Sequence, residues 1–158
     1  MNFYAEHTDI SYGKNKIVEA LSMEIPEGKI TALIGANGSG KSTIPKTLCR
    51  IMKLDSGQVI LDGRSIHQMK EFSRRGLEQL SGGQRQRAWI AMCLAQNTEI
   101  LFLDEPTTYL DISYQLDILK LLKQLNEEYK KTIVMVVHDL NHASLFADHI
   151  VAIKKARS

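Results

Sequence analysis

The strongest chemical signal in this 158-residue sequence is eight consecutive residues, Gly35-Ala36-Asn37-Gly38-Ser39-Gly40-Lys41-Ser42. They match the pattern G-x-x-x-x-G-K-[ST]. Glycines at these places let backbone N–H groups turn inward around phosphate oxygens. A helix starting behind the loop adds its dipole. The Lys41 amine can then reach the β- and γ-phosphates of a nucleotide, and the Ser42 hydroxyl can ligate Mg²⁺. A chance glycine-rich turn does not account for eight correctly ordered residues between a strand and a helix. The second signal is Ile100-Leu101-Phe102-Leu103, an apolar strand ending in Asp104 and Glu105. Alone, that pair reads as a polar strand end meeting solvent. Behind a phosphate loop, Asp104 belongs beside the magnesium and Glu105 toward an attacking water as general base.

Elements that position these residues are legible around them. Residues 30–34 form a short apolar run ending at a glycine, as a buried strand does. Ahead of it, 3–12 and 17–25 are β-prone stretches around a polar Gly13-Lys14-Asn15 turn. Residues 58–66 carry Asp62-Gly63 between apolar stretches, a hairpin signal. From Ser81 onward helix and strand alternate: helix 85–96, strand 99–103, helix 114–129, strand 133–137, helix 140–147, strand 150–153. Ile118, Leu121, Leu122, Leu125 and Tyr129 share one helical face. The alternation predicts an α/β fold of the phosphate-loop class, a mostly parallel core sheet with helices plus an N-terminal antiparallel β layer. One residue conflicts with it. Pro45 falls inside the helix expected after the loop, where an interior proline costs about 3 kcal/mol and predicts a kink or a distorted first turn.

Composition bounds the rest. The length suits one domain, and such a chain can bury roughly 70% of its unfolded surface. The 20 Lys+Arg and 18 Asp+Glu leave a net charge of +2, too little to argue for nucleic acid. No apolar run approaches the ~20 residues that span a bilayer. The opening MNFYAEHTDI does not read as a secretory signal. Cys49 and Cys93 lack metal-ligand spacing and read as reduced thiols. His7, His67 and His149 are isolated. His138 and His142 are four residues apart, as in a metal pair, but a surface helix residue is the simpler reading of His142. Trp89 reads as core, and Ser73-Arg74-Arg75-Gly76 as a solvated loop.

With the loop and the acidic pair in place, further motifs resemble the nucleotide-binding subunit of an ATP-binding cassette (ABC) transporter. Leu80-Ser81-Gly82-Gly83-Gln84 resembles the family signature, Leu110-Asp111 the D-loop, His138 the switch histidine, and Tyr12 the aromatic that stacks on adenine. The stretches 85–92, Pro106-Thr107-Thr108-Tyr109-Leu110-Asp111 and Val137-His138-Asp139-Leu140-Asn141 are most similar to the ATPases of iron–siderophore importers. The resemblance implies ATP on Gly35, Asn37, Gly38, Ser39, Gly40, Lys41, Ser42 and Thr43, with Tyr12 on the base. It implies Mg²⁺ on Ser42 and Asp104, water polarised by Glu105, and His138 on the γ-phosphate. It also implies a second ATPase subunit packed head to tail, so that Ser81, Gly82, Gly83, Gln84 and Asp111 of one copy close over the nucleotide of the other. Transmembrane permease subunits are the implied partners, with the chain cytoplasmic and peripheral on the inner face of the cell membrane. A soluble ABC protein working on DNA or ribosomes is disfavoured by Tyr109 and by the lack of a basic run, so no nucleic-acid partner is expected.

The sequence departs from the family pattern in one stretch. Only 39 residues separate Lys41 from Ser81, and His67 to Gln79 supplies only 13 of them. The family carries a Q-loop glutamine and a helical subdomain there; the subdomain does not fit, and neither Gln68 nor Gln79 has Q-loop flanks. Residues 1–158 therefore read as a single, shortened ABC ATPase domain, also short of the family's C-terminal end after Ile153. Two functions follow: an ATP-hydrolysing importer subunit, or a nucleotide-binding core that holds Mg-ATP without turnover.

Overall fold

The structure is a computed structural model that describes residues 1–66, 98–108 and 110–154. In chain order the elements are β1 (Phe3–Tyr12), β2 (Asn15–Ile25), β3 (Ile30–Gly35), α1 (Thr43–Leu48), β4 (Ser56–Leu61), β5 (Arg64–Ser65), β6 (Ile100–Asp104), α2 (Ile112–Tyr129), β7 (Thr132–Val136), α3 (Leu140–Phe146) and β8 (His149–Ile153). The expected helix 85–96, Cys93, Trp89 and the signature Ser81–Gln84 lie outside the described residues, as do His67, Gln68, Gln79, the 73–76 stretch and Tyr109.

The strands pair into two sheets, an antiparallel one ordered β2-β1-β4-β5 and a parallel one ordered β6-β7-β3-β8. Hairpin chemistry builds the first. Tyr12 pairs with Asn15, so the turn is Gly13-Lys14 and β2 starts two residues earlier than expected. Asp62 and Gly63 have φ of 50° and 74°, the double left-handed conformation of a type I′ turn, and close β4 onto β5.

Period-two alternation builds the core. Along β7, Val134 and Val136 face the antiparallel sheet, where they join Phe3, Ile10, Met23 and Val59. Ile133, Met135 and Val137 face the helices, where they meet Leu119, Leu122 and Leu125 of α2. Phe3 and Phe102 meet edge to face at 6.1 Å and tie the two sheets together. A strand buried on both faces has to read as a continuous apolar run, and 133–137 does.

One expectation needs correction. Tyr129 is 62% exposed, and the buried face of α2 is completed instead by Leu119 and Asn126. The Asn126 amide donates at 2.8 Å to the carbonyls of both Gly28 and Lys131, so a polar residue fills an apolar-looking stripe at its end. Pro45 stands behind the distorted first turn expected of it. The Thr43 and Ile44 N–H groups both donate to the Gly40 carbonyl, at 2.9 and 3.1 Å. Pro45 has no N–H to carry the ladder on to the Lys41 carbonyl, and α1 is regular only over Thr43–Leu48. The helix ends in a Schellman motif, with Arg50 at φ 61° and Ile51 N–H donating to the Lys46 carbonyl at 2.7 Å.

Candidate functional site

Parallel pairing decides where the chemistry gathers. Asp104 is level with Val136 in β7, and Val136 with Leu33 in β3, so the segments leaving β3, β6 and β7 emerge at one edge of the sheet. That edge, at the carboxyl ends of the strands, is where open α/β sheets bind ligands. There a cleft of about 350 Å³ is lined by Asn37, Gly38, Gly40, Lys41, Ser42 and Thr43 from the loop, Glu105 after β6, His138 after β7, and Ile17 of β2.

The loop is held in the conformation its glycines permit. Gly38 and Gly40 have φ of 75° and 91°. A Cβ on Gly40 would lie 2.6 Å from Val18 Cγ2 and 2.8 Å from Ile17 Cγ2. Gly35 ends β3, opposite Ile153; a Cβ there would sit 2.4 Å from the Ile153 carbonyl oxygen and 2.8 Å from Ser39 Oγ. The Ser39 hydroxyl is buried without a hydrogen-bond partner. Lys41 is only 5% exposed, and its amine donates to the carbonyls of Gly35 and Ala36, both at 2.8 Å. A lysine already gripping two oxygens inside a glycine cradle suits a phosphate group, which offers better ones. Thr43 begins α1, and its carbonyl accepts from the Thr47 hydroxyl.

The acidic pair divides its roles. Asp104 Oδ2 lies 3.9 Å from Lys46 Nζ, so the carboxylate already faces a positive charge. Ser42 and Asp104 both carry hard oxygen donors of the kind Mg²⁺ takes alongside phosphate and water, but only Ser42 is among the residues that line the cleft. Glu105 stands in the left-handed region, φ 52°. Its Oε1 is 2.6 Å from His138 Nε2, and its Oε2 accepts from Thr108 Oγ1 at 3.0 Å. The His138 hydrogen bond comes first among the causes that hold the Glu105 carboxyl below the usual carboxylate range. The Thr108 bond and the charges of His138 and Lys41 add to it, against partial burial.

The remaining candidates are less central. Tyr12, at the end of β1, is 71% exposed and is not among the cleft-lining residues; Ile17 takes that wall. Asp111 caps α2, its Oδ1 accepting from the Tyr114 N–H at 3.1 Å. His142 and His138 both line a second hollow of about 230 Å³ behind Glu105. His142 belongs to α3; among the described residues no cluster of three or more His, Cys, Asp or Glu side chains could hold a metal ion. Sequence reasoning missed Ile17, Val18 and Thr108. Only for Thr108 was there a local sign, a hydroxyl three residues beyond Glu105 with a proline between.

Comparisons with known proteins bear on the family and the fold. The family model described as ABC transporter matches residues 18–78 and 68–108. Among curated relatives, the iron(3+)-hydroxamate import ATP-binding protein FhuC of Bacillus subtilis (strain 168) is 43% identical over 209 aligned positions, covering 95% of this chain and 78% of that protein. The ferric enterobactin transport ATP-binding protein FepC of Escherichia coli (strain K12) is 38% identical over 211 positions, covering 96% and 78%. The dimeric structure of the bacterial ABC transporter cassette MJ0796 superposes with a TM-score of 0.82 at 25% identity, covering 99% of both chains. The same cassette in a post-hydrolysis state bound to ADP and Pi superposes with a TM-score of 0.81.

Proposed function

Because this chain belongs to the ABC transporter family, we propose that it is the ATP-binding, ATP-hydrolysing subunit of an iron–siderophore importer. The observation that carries the reading is the cleft where loop 37–43, Glu105 and His138 meet. The hydroxamate and enterobactin importers among its relatives support the transported class.

Each residue then has a task. Lys41 exchanges the carbonyls of Gly35 and Ala36 for phosphate oxygens. The amides of 35–43 cradle the remaining oxygens, and Ile17 and the exposed Tyr12 flank the base. Ser42 and Asp104 would hold Mg²⁺, whose charge would neutralise the phosphates. Glu105 orients water and accepts its proton; His138 holds Glu105 and reaches the γ-phosphate. A second copy packs head to tail, its Ser81, Gly82, Gly83, Gln84 and Asp111 completing the nucleotide site. Permease subunits take up the motion, so we place the chain at the inner face of the membrane. Among the described residues no helix is long and apolar enough to cross one.

A second reading is favoured by the short span before Ser81. The family model matches in two pieces that overlap at 68–78, and alignments of 209 and 211 positions exceed the 158 residues of the chain, so they open gaps in it. A domain without its helical subdomain, shortened at 67–79, would hold Mg-ATP and leave it intact. Steady-state hydrolysis with Glu105→Gln and Lys41→Ala separates the two. The first reading expects Glu105→Gln to lose at least about a hundredfold in rate while keeping nucleotide, and Lys41→Ala to lose the nucleotide. Tight binding with a flat hydrolysis trace in folded wild-type protein would overturn it for the second.

A further inference from the structure

One residue contacts Glu105 twice. The chain turns at Glu105-Pro106-Thr107-Thr108, where the Thr108 N–H donates to the Glu105 carbonyl at 3.1 Å, the closing bond of a β-turn. Proline at the second position pre-sets that turn. The Thr108 hydroxyl also donates to Glu105 Oε2 at 3.0 Å. The other carboxylate oxygen, Oε1, is the one 2.6 Å from His138 Nε2. The far end of the loop is pinned as well, since Gln115 Nε2 donates to the Leu110 carbonyl at 2.8 Å and Asp111 caps α2. Thr108 therefore cannot drift from Glu105 without opening the turn. A glutamate carboxylate is otherwise free over a broad, two-fold torsion, and its two oxygens have no fixed assignment.

We propose that Thr108 is a positioning residue for this site: its hydroxyl holds Oε2 of Glu105 so that Oε1 is the oxygen presented to His138 and the cleft. The proposal rests on the reading of Glu105 as the group that activates water. It concerns the hydroxyl alone, because any residue but proline would supply the N–H of the turn.

Thr108→Val keeps the shape and removes the hydroxyl; Thr108→Ser restores it. Thr108→Val should lower kcat about tenfold with KM within about twofold, and Thr108→Ser should recover kcat to within about threefold. On a Glu105→Gln background, Thr108→Val should change nothing further. An undiminished kcat in Thr108→Val, or a loss that serine does not rescue, overturns the role of Thr108 and leaves that of Glu105 standing. Full hydrolysis by Glu105→Gln overturns instead the reading beneath it. A second measurement needs no turnover. In protein ¹³C-labelled at glutamate Cδ, the Glu105 carboxyl line is identified by its loss in Glu105→Gln. It should move in Thr108→Val and stay in Thr108→Ser. A line that stays in Thr108→Val overturns the proposal in a chain of any activity, including none.

Discussion

Single residues set the chemistry, and they act through backbone as much as through side chain. Gly40 shows this most sharply. It combines φ 91° with the close approach of Ile17 and Val18, so the loop depends on a missing Cβ as much as on the Lys41 amine. Gly40→Ala should therefore destabilise the fold by about 1–3 kcal/mol and weaken nucleotide binding together. Urea unfolding midpoints and nucleotide titrations of the same samples would test it; full affinity at wild-type stability would show that the loop tolerates the crowding. The loop motif was legible in the sequence because its spacing is local. Ile17 was not, since nothing in residues 15–25 says that β2 lies over Gly40.

Elements carry those residues, and some are joined by polar groups that a pattern of apolar spacing does not register. Asp9 is the clearest. Its carboxylate accepts from the Ala20 N–H at 2.8 Å and from Lys16 Nζ at 3.1 Å, and its carbonyl accepts from the Asp55 N–H at 3.0 Å. One aspartate thus binds β2 and the approach to β4 onto β1. The Ala20 bond first, then those from Lys16 and Ser56, hold its carboxyl below the usual aspartate value of 3.8. A depressed pKa stabilises the folded state above the unfolded value, and that stabilisation is lost as pH falls through the folded one. Asp9→Asn should lower the urea midpoint at pH 7, and the gap to wild type should narrow below pH 3.8. A gap that persists in acid would assign the effect to lost shape instead. The same limit explains Tyr129: helical spacing put it with Leu122 and Leu125, but at that end of α2 it is the polar Asn126 that is buried, on the carbonyls of Gly28 and Lys131, while Tyr129 stays in solvent.

The whole molecule adds what neither scale contains. Two sheets sharing a core place β3 between β7 and β8, and only that order brings Glu105 and His138 to the loop after β3. If a second copy completes the site, specific hydrolytic activity should rise with protein concentration as dimers form; a rate per chain independent of dilution would mean that a single copy suffices. The sequence by itself determined the phosphate loop, the strand ending in Asp104 and Glu105, the Asp62-Gly63 turn and the alternation of buried strands. Each of these is written in neighbouring residues, through the φ angles they allow and the faces they bury. Only the tertiary structure decided that His138 and Thr108 hold opposite oxygens of Glu105, that Ile17 walls the cleft, and that Tyr129 stays in solvent. Those facts depend on which distant strands pair and where helices stop, and pairing is fixed by the shared core between the sheets rather than by any local stretch of chain.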